Sequence, residues 1–409
     1  MYTHKLNCRI CQSKNLTEFL DLGEQPLANN FLKSSADFVS EKFYPLKVYF
    51  CHDCNLMQLL DVVDKEILFK NYIYFSSGMP KLSDHFKNYA ENLMVRFLKK
   101  DDLVVELASN DGILLNFFKD SGYRILGVDP AENIAALANT RGVPTLPKFF
   151  SQNLAKEIVK NYSFAQVIIA NNVVAHIDDH HDLALGVKTL LAPDGVFVFE
   201  APYLIDMFEN LTFDTIYHEH LSYLAIRPLK KLFEKYNLEI FKVEIHPVQG
   251  KSIRVFVGHA NKHPIDQSVA YLIMKELAME LPQVKSYQKL AVRISNFKKD
   301  LIDLLKKIKI SGKSIAAYGA PAKGNTLLNY CGISTNFLDF ALEDLPAKQG
   351  LYTPGQHIPV VTRTYVETHQ PDFYLLLAWN YAPVILAKEK QFQANGGKFI
   401  MPVEGIKII

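Results

Sequence analysis

Four of the five cysteines form two identical pairs, Cys8-Arg9-Ile10-Cys11 and Cys51-His52-Asp53-Cys54, with 39 residues between them. A C-x-x-C turn aims two sulfurs at one point, and two such turns present four thiolates to a single tetrahedral Zn²⁺. With all four positions filled by protein, no site is left open for hydrolytic chemistry. Cys8, Cys11, Cys51 and Cys54 therefore predict a structural zinc that braces the N-terminal fold, the competing reading being metal-free redox thiols. Cys331 has no partner and reads as an ordinary small apolar residue.

At 409 residues the chain is too long for one core, and roughly 150 residues per domain suggests two or three. Hydrophobic residues make up 49%, which indicates a folded chain with a substantial interior. The 45 basic and 43 acidic residues nearly cancel, so no basic face is expected and nucleic acid is excluded as a partner. The opening Met-Tyr-Thr-His-Lys lacks the pattern of a signal peptide, and no apolar run reaches the ~20 residues that span a bilayer. Paired cysteines without an export signal fit a reducing cytoplasm and a metal rather than disulfides. No membrane partner is expected. The oligomeric state is open, and three modules of this size suffice for a monomer.

The pattern divides into a zinc-binding module over 1–75, an α/β domain over 76–260, and linker helices with a second α/β domain over 261–409. Short strands and turns surround the knuckles. A helix is predicted from Pro80 to about Lys99, with Leu82, Phe86, Tyr89 and Leu93 on one face. Strands follow at 103–108, 124–129, 165–170 and 195–200, alternating with amphipathic helices, which argues a doubly wound, mostly parallel sheet. A long helical stretch, 266–308, reads as a packing helix between domains. Strands at 313–319, 337–343, 373–378 and 398–401 then restart the alternation.

In such sheets ligands bind beyond the carboxyl ends of the strands, where strand order reverses. The first strand ends in Glu106-Leu-Ala-Ser-Asn-Asp-Gly112, whose small residues let backbone approach a ligand. The second ends in Asp129, 23 residues after Glu106, where a carboxylate can accept both hydroxyls of a ribose. That pairing suits dinucleotides and S-adenosylmethionine (AdoMet) alike. The strict G-x-G-x-x-G of dinucleotide folds is absent, since Ala108, Asn110 and Gly112 occupy the turn, so AdoMet is favoured. Ser109, Asp111, Asn171 and Asn172 complete the candidate cofactor site.

Tyr217-His-Glu-His-Leu-Ser-Tyr223 concentrates titratable groups. A metal on His218 and His220 lacks the usual i, i+4 helical spacing. If the segment is extended, Tyr217 and Glu219 share one face, His218 and His220 the other. A general-base histidine fits better, since its ordinary pKa lies near 6.5; the remaining alternative is a polar loop at a domain junction. Tyr72 and Tyr74 could reach the same cleft. In the C-terminal block Tyr318-Gly-Ala-Pro-Ala-Lys-Gly-Asn325 runs from a strand into a helix. Gly319 and Gly324 permit close backbone approach, the helix N-terminus attracts phosphate oxygens and Lys323 adds charge, so a diphosphate site competes with an ordinary turn.

These motifs, in this order, resemble the sugar C-methyltransferases of deoxysugar biosynthesis, which act on nucleotide-linked 4-keto sugars. The resemblance covers essentially the whole chain. It includes Leu22-Gly-Glu-Gln-Pro-Leu-Ala-Asn29, Tyr72-Ile-Tyr-Phe-Ser-Ser77, Val105 to Gly112, Tyr217-His-Glu-His220, Gln249-Gly-Lys-Ser-Ile-Arg254, Tyr318 to Asn325 and Lys348 to Gly355. It implies a central class I methyltransferase domain and transfer of methyl from AdoMet to the carbon beside a ketone. His220 matches the family's base, Glu219 and Tyr217 its neighbours, and Tyr72 or Tyr74 a further active-site tyrosine. By the same resemblance a nucleotide diphosphate-sugar lies between the α/β blocks, against Ser252, Arg254, Tyr318, Gly319, Ala320, Pro321, Lys323, Gly324 and Asn325. One departure stands out: Lys251 occupies a position where the family commonly has glycine. An O- or N-methyltransferase remains the nearest rival, ahead of a non-catalytic nucleotide-binding zinc protein.

Overall fold

The computed structural model describes residues 2–69, 80–246, 250–403 and 405–409. Tyr72, Tyr74 and Gln249 lie outside them. The two knuckles adopt one geometry. In each, the amide four residues after the first cysteine donates to that cysteine's carbonyl, Gln12 to Cys8 at 3.0 Å and Asn55 to Cys51 at 2.8 Å. Both Gln12 and Asn55 take left-handed backbone angles to close the turn. The strands Leu16–Pro26, Phe43–Cys51 and Met57–Leu59 form an antiparallel sheet beside the cluster. Its fourth strand comes from far along the chain, Ser222–Tyr223, paired with Gln58 and Met57.

The central sheet has seven strands in the order Leu238–His246, Ser252–His259, Leu191–Pro202, Ala165–Asn171, Leu103–Leu107, Arg124–Val128, Thr145–Leu146. All run parallel except Ser252–His259, antiparallel to both its neighbours. Leu103–Leu107 is buried at every position, as a strand covered by helices on both faces must be. Strand order reverses between it and Ala165–Asn171. A second sheet repeats the plan: Val360–Val361, Ala341–Leu342, Ile315–Tyr318, Phe373–Leu376, Lys398–Met401 and an antiparallel edge, Lys407–Ile408. Its order reverses between Ile315–Tyr318 and Phe373–Leu376. The strand expected over 337–343 shrinks to Ala341–Leu342.

The helical stretch expected over 266–308 is two helices, Gln267–Ala278 and Val284–Ile310. Glu280 in a left-handed conformation and Pro282, which has no amide to donate, break it. The longer helix buries Tyr287, Leu290, Ile294, Phe297, Leu301, Leu305 and Ile308, one stripe at three- and four-residue spacing. Tyr287 packs on Phe19 and Phe50 of the zinc module, and Phe297 on Phe213, just before the 217–220 segment. One continuous apolar core thus runs from Phe50 through Val105 and Ile168 to Ala317 and Leu375. Among the described residues no helix is long and apolar enough to cross a membrane.

Candidate functional site

Both sheets point their reversal points into one cavity of about 1430 Å³. Ala108, Ser109, Asn110, Asp129, Asn171 and Asn172 line it from the central sheet; Tyr318, Gly319, Pro321 and Lys323 line it from the other. On the central side the turn after the first strand carries left-handed angles at Ala108, Asn110 and Gly112, and Asn172 after the fourth strand carries another. Non-glycine residues adopt these angles at a cost, and such strain gathers at ligand sites. Gly112 caps the helix Ile113–Asp120, where a Cβ would meet Val143 at 2.9 Å.

Asp129 accepts the amide of Asn110 through Oδ2 and that of Ala131 through Oδ1, each at 2.9 Å. Both oxygens keep lone pairs for further donors. Burial pushes the Asp129 carboxyl up, and pushes Glu106 up much further, with the Asp129 charge adding to it. Glu106 Oε2, Ser109 Oγ and Asn172 Oδ1 are buried without hydrogen-bond partners in residues that line the cavity. A crevice of this chemistry fits AdoMet, whose ribose and amino-acid groups would satisfy such atoms. Asp111 and Gly112 do not line it: Asp111 is fully buried and paired with Arg141 at 3.0 Å. Replacing Asp129 by Ala is expected to weaken S-adenosylhomocysteine binding by about 10- to 100-fold, the loss of charge-assisted hydrogen bonds. Titration calorimetry on the folded variant checks this.

Tyr217 and His220 line the same cavity. The 217–220 segment is a turn, closed by the His220 amide on the Tyr217 carbonyl at 2.8 Å, rather than extended. Tyr217 and His220 therefore share a side instead of opposing each other, and the Tyr217 hydroxyl lies 2.9 Å from His220 Nε2. Nδ1 of His220 is 2.7 Å from the Thr215 carbonyl, which can only accept. The proton is thus on Nδ1, and the Nε2 lone pair takes the tyrosine hydroxyl. Burial pushes the ring down to about 4, so it is neutral at ordinary pH. His176, edge-on to His220 at 4.7 Å, also lines the cavity, half-buried with its enclosed Nδ1 unpartnered. Sequence reasoning passed over it, although it stands only four residues beyond Asn172.

Glu219 and His218 face elsewhere. Glu219 accepts from Asn29 of the zinc module at 2.6 Å, and His218 is buried with Nε2 3.3 Å from the Tyr44 carbonyl. On the C-terminal side Lys323 is half-buried with Nζ 3.6 Å over the Trp379 ring, and desolvation lowers it to about 8. Trp379 Nε1 donates to the buried Asp214 at 2.6 Å.

Several residues expected to meet substrate do not line the cavity. Arg254 is buried in an ion pair with Glu200 at 2.6 Å, its guanidinium 3.6 Å over Tyr89, and Ser252 is buried in the antiparallel strand. The Ala320 amide donates to Glu343 at 2.9 Å. Gly324 is required by packing, since a Cβ there would meet Leu377 at 2.9 Å, and Asn325 donates to the Ala28 carbonyl at 2.7 Å. Lys251 pairs with Glu209 at 2.6 Å.

The four cysteine sulfurs lie within 4.8 Å of one another. Cys8 approaches Cys54, and Cys11 approaches Cys51, at 3.4 Å, so each close pair takes one sulfur from each knuckle. Hydrogen bonds from Cys51 and Cys54 push the Cys8 thiol far down. Soft donors in a closed, buried tetrad fit Zn²⁺. Among the described residues no other group of histidines, cysteines and carboxylates is placed to hold a metal.

Three family models match in sequence: a domain described as zinc binding over residues 8–69, a methyltransferase domain over 82–243 and a C-methyltransferase C-terminal domain over 247–404. The chain is 38% identical over 404 residues to C-methyltransferase NovU of Streptomyces niveus, covering 98% of this chain and 96% of that one. Among solved structures, magnesium protoporphyrin IX methyltransferase of Synechocystis with bound SAH overlaps 48% of this chain and 92% of its own, at 11% identity and a TM-score of 0.36. A Haloferax volcanii complex of the Trm112 activator with a methyltransferase overlaps 44% of this chain and 92% of its own, at 15% identity and a TM-score of 0.34.

Proposed function

Since the chain belongs to the C-methyltransferase family, uses AdoMet and carries a structural zinc, we propose that its acceptor is the carbon beside the ketone of a nucleotide-linked 4-keto-deoxysugar. The observation that carries this reading is the His220–Tyr217 pair inside a cavity that joins the carboxyl ends of two α/β sheets. One sheet suits AdoMet. The other offers Lys323, Gly319 and the N-terminus of the helix Ala322–Cys331 to a diphosphate.

A carbon acceptor needs activation that oxygen or nitrogen does not. The neutral Nε2 of His220 removes the proton beside the ketone, and the electron pair moves onto the carbonyl oxygen to give an enolate. Substrate must first displace the Tyr217 hydroxyl from Nε2, which frees that hydroxyl to donate to the developing oxyanion. The Thr215 carbonyl holds Nδ1–H, stabilising the imidazolium formed. AdoMet, when bound, would supply the electrophilic methyl for the enolate carbon, with S-adenosylhomocysteine as the leaving group. Asp129 and the 108–110 turn would hold the cofactor, while Glu219, through Asn29, orients the loop. Tyr72 and Tyr74 remain candidates for a further contact with the sugar.

The test is exchange in D₂O of thymidine- and guanosine-linked 4-keto-6-deoxysugars, with S-adenosylhomocysteine holding the cofactor site. Mass spectrometry should show enzyme-dependent deuterium uptake beside the ketone, lost in His220→Asn. Methylated product without any exchange would assign the acceptor to oxygen or nitrogen.

A further inference from the structure

Arg9 stands between the first two zinc ligands, and its side chain is directed away from solvent into the seam between the zinc module and the central domain. The residue is 3% exposed. Its Nη1 donates to the Leu221 carbonyl at 3.1 Å, to the Leu59 carbonyl and to Gln58 Oε1 at 3.4 Å. Its Nε donates to Asp178 Oδ1 at 3.2 Å, and its own amide donates to Gln58 Oε1 at 3.0 Å. Leu221 follows His220 directly. Its carbonyl also takes the Leu59 amide at 3.0 Å, and its amide donates to the carbonyl of Ala175, next to His176. Asp178 lines the catalytic cavity. One planar fork therefore ties a zinc knuckle to the residue after the proposed base and to the loop that carries His176.

Burying a guanidinium is costly unless charge and hydrogen bonds compensate it. Asp178 supplies one negative charge. A Zn²⁺ held by four thiolates supplies a further two, centred beside Arg9. The cluster thus gives the cation a reason to be buried, and the fork converts that burial into a fixed path for the 217–221 loop. We propose that Arg9 is a positioning residue through which the zinc centre holds His220 in its working geometry, an inference that rests on reading His220 as the base. An arginine serves here because a lysine offers a point charge and cannot reach both carbonyls and Asp178 in one plane.

The test uses the full-length, zinc-loaded protein with Arg9→Lys, which keeps the charge beside the thiolates, and Arg9→Met, which does not. Zinc content, AdoMet affinity, hydrogen exchange of the 217–224 segment, kcat and KM are measured well below the melting temperature. Arg9→Lys should keep zinc and cofactor affinity, exchange faster over 217–224, and lose about 10²-fold in kcat with little change in KM, as small misplacements of a reacting group do. Arg9→Met should do the same or fail to hold the metal. Wild-type exchange and kcat in zinc-replete Arg9→Lys would overturn the proposal. So would a loss of kcat that only tracks lost zinc. Faster exchange with an unchanged kcat would instead overturn the reading of His220, leaving the anchoring of the loop intact.

Discussion

Replacing His220 by Asn is expected to lower kcat by about 10³-fold while leaving AdoMet affinity and zinc content as they are, the scale at which a positioned general base contributes. Asparagine keeps much of the ring's volume and can still donate a hydrogen bond, but it has no basic lone pair to take a proton. The pH profile carries the same signature. The ring is pushed down to about 4 by burial, and as a base it would work only when neutral, above that value. The acid limb of kcat/KM should therefore appear near pH 4, falling about tenfold per pH unit below it, and not near the ordinary histidine value of about 6.5. Brief exposure to each pH, with activity recovered on return to neutrality, separates this limb from acid unfolding. A limb at 6.5 would mean that the working base is a more exposed group.

Cys51→Ser should release zinc, collapse the melting transition and abolish turnover together. Structural zinc contributes about 10–16 kcal/mol of binding free energy, at least as much as the ~5–15 kcal/mol that holds a typical domain folded. Cys51 ends the strand Phe43–Cys51, which pairs on one side with Leu16–Pro26 and on the other with Met57–Leu59. Met57–Leu59 in turn pairs with Ser222–Tyr223, two residues past His220. Loss of the metal would thus reach the proposed base through paired strands. Metal analysis, calorimetry and turnover on one preparation check the prediction; a zinc-free variant with wild-type melting and kcat would remove the metal from the account.

Features written in one stretch of sequence were legible, and features made by two stretches were not. The knuckles announce themselves because the ligands stand at fixed short spacing. The alternating strands do so because a doubly covered strand is buried throughout and mostly apolar, as Leu103–Leu107 is apart from Glu106. Arg254 is expected at the substrate by resemblance alone, and nothing local to its segment says what it pairs with. Only the fold reveals Glu200, on the neighbouring strand, as its partner. Asn325 and Gly324 are alike in this, their partners Ala28 and Leu377 being remote in the chain. The 217–220 turn defeated an alternation rule that holds only for extended backbone. His176 was missed because its significance lies in a neighbour 44 residues onward, and a lone histidine after two asparagines carries no local signal.

The zinc sheet borrows its outermost strand from the heart of the methyltransferase chain. Its seam is therefore encoded twice, once around Met57–Leu59 and once around Leu221–Tyr223. A chimera that exchanged only the first 75 residues with a relative would import three strands and leave the fourth behind. The foreign sheet would then meet a mismatched edge, with open amides and carbonyls inviting the wrong partner. The two stretches should accordingly drift through descent as one inherited unit, each change along the first answered by a change beside the proposed base.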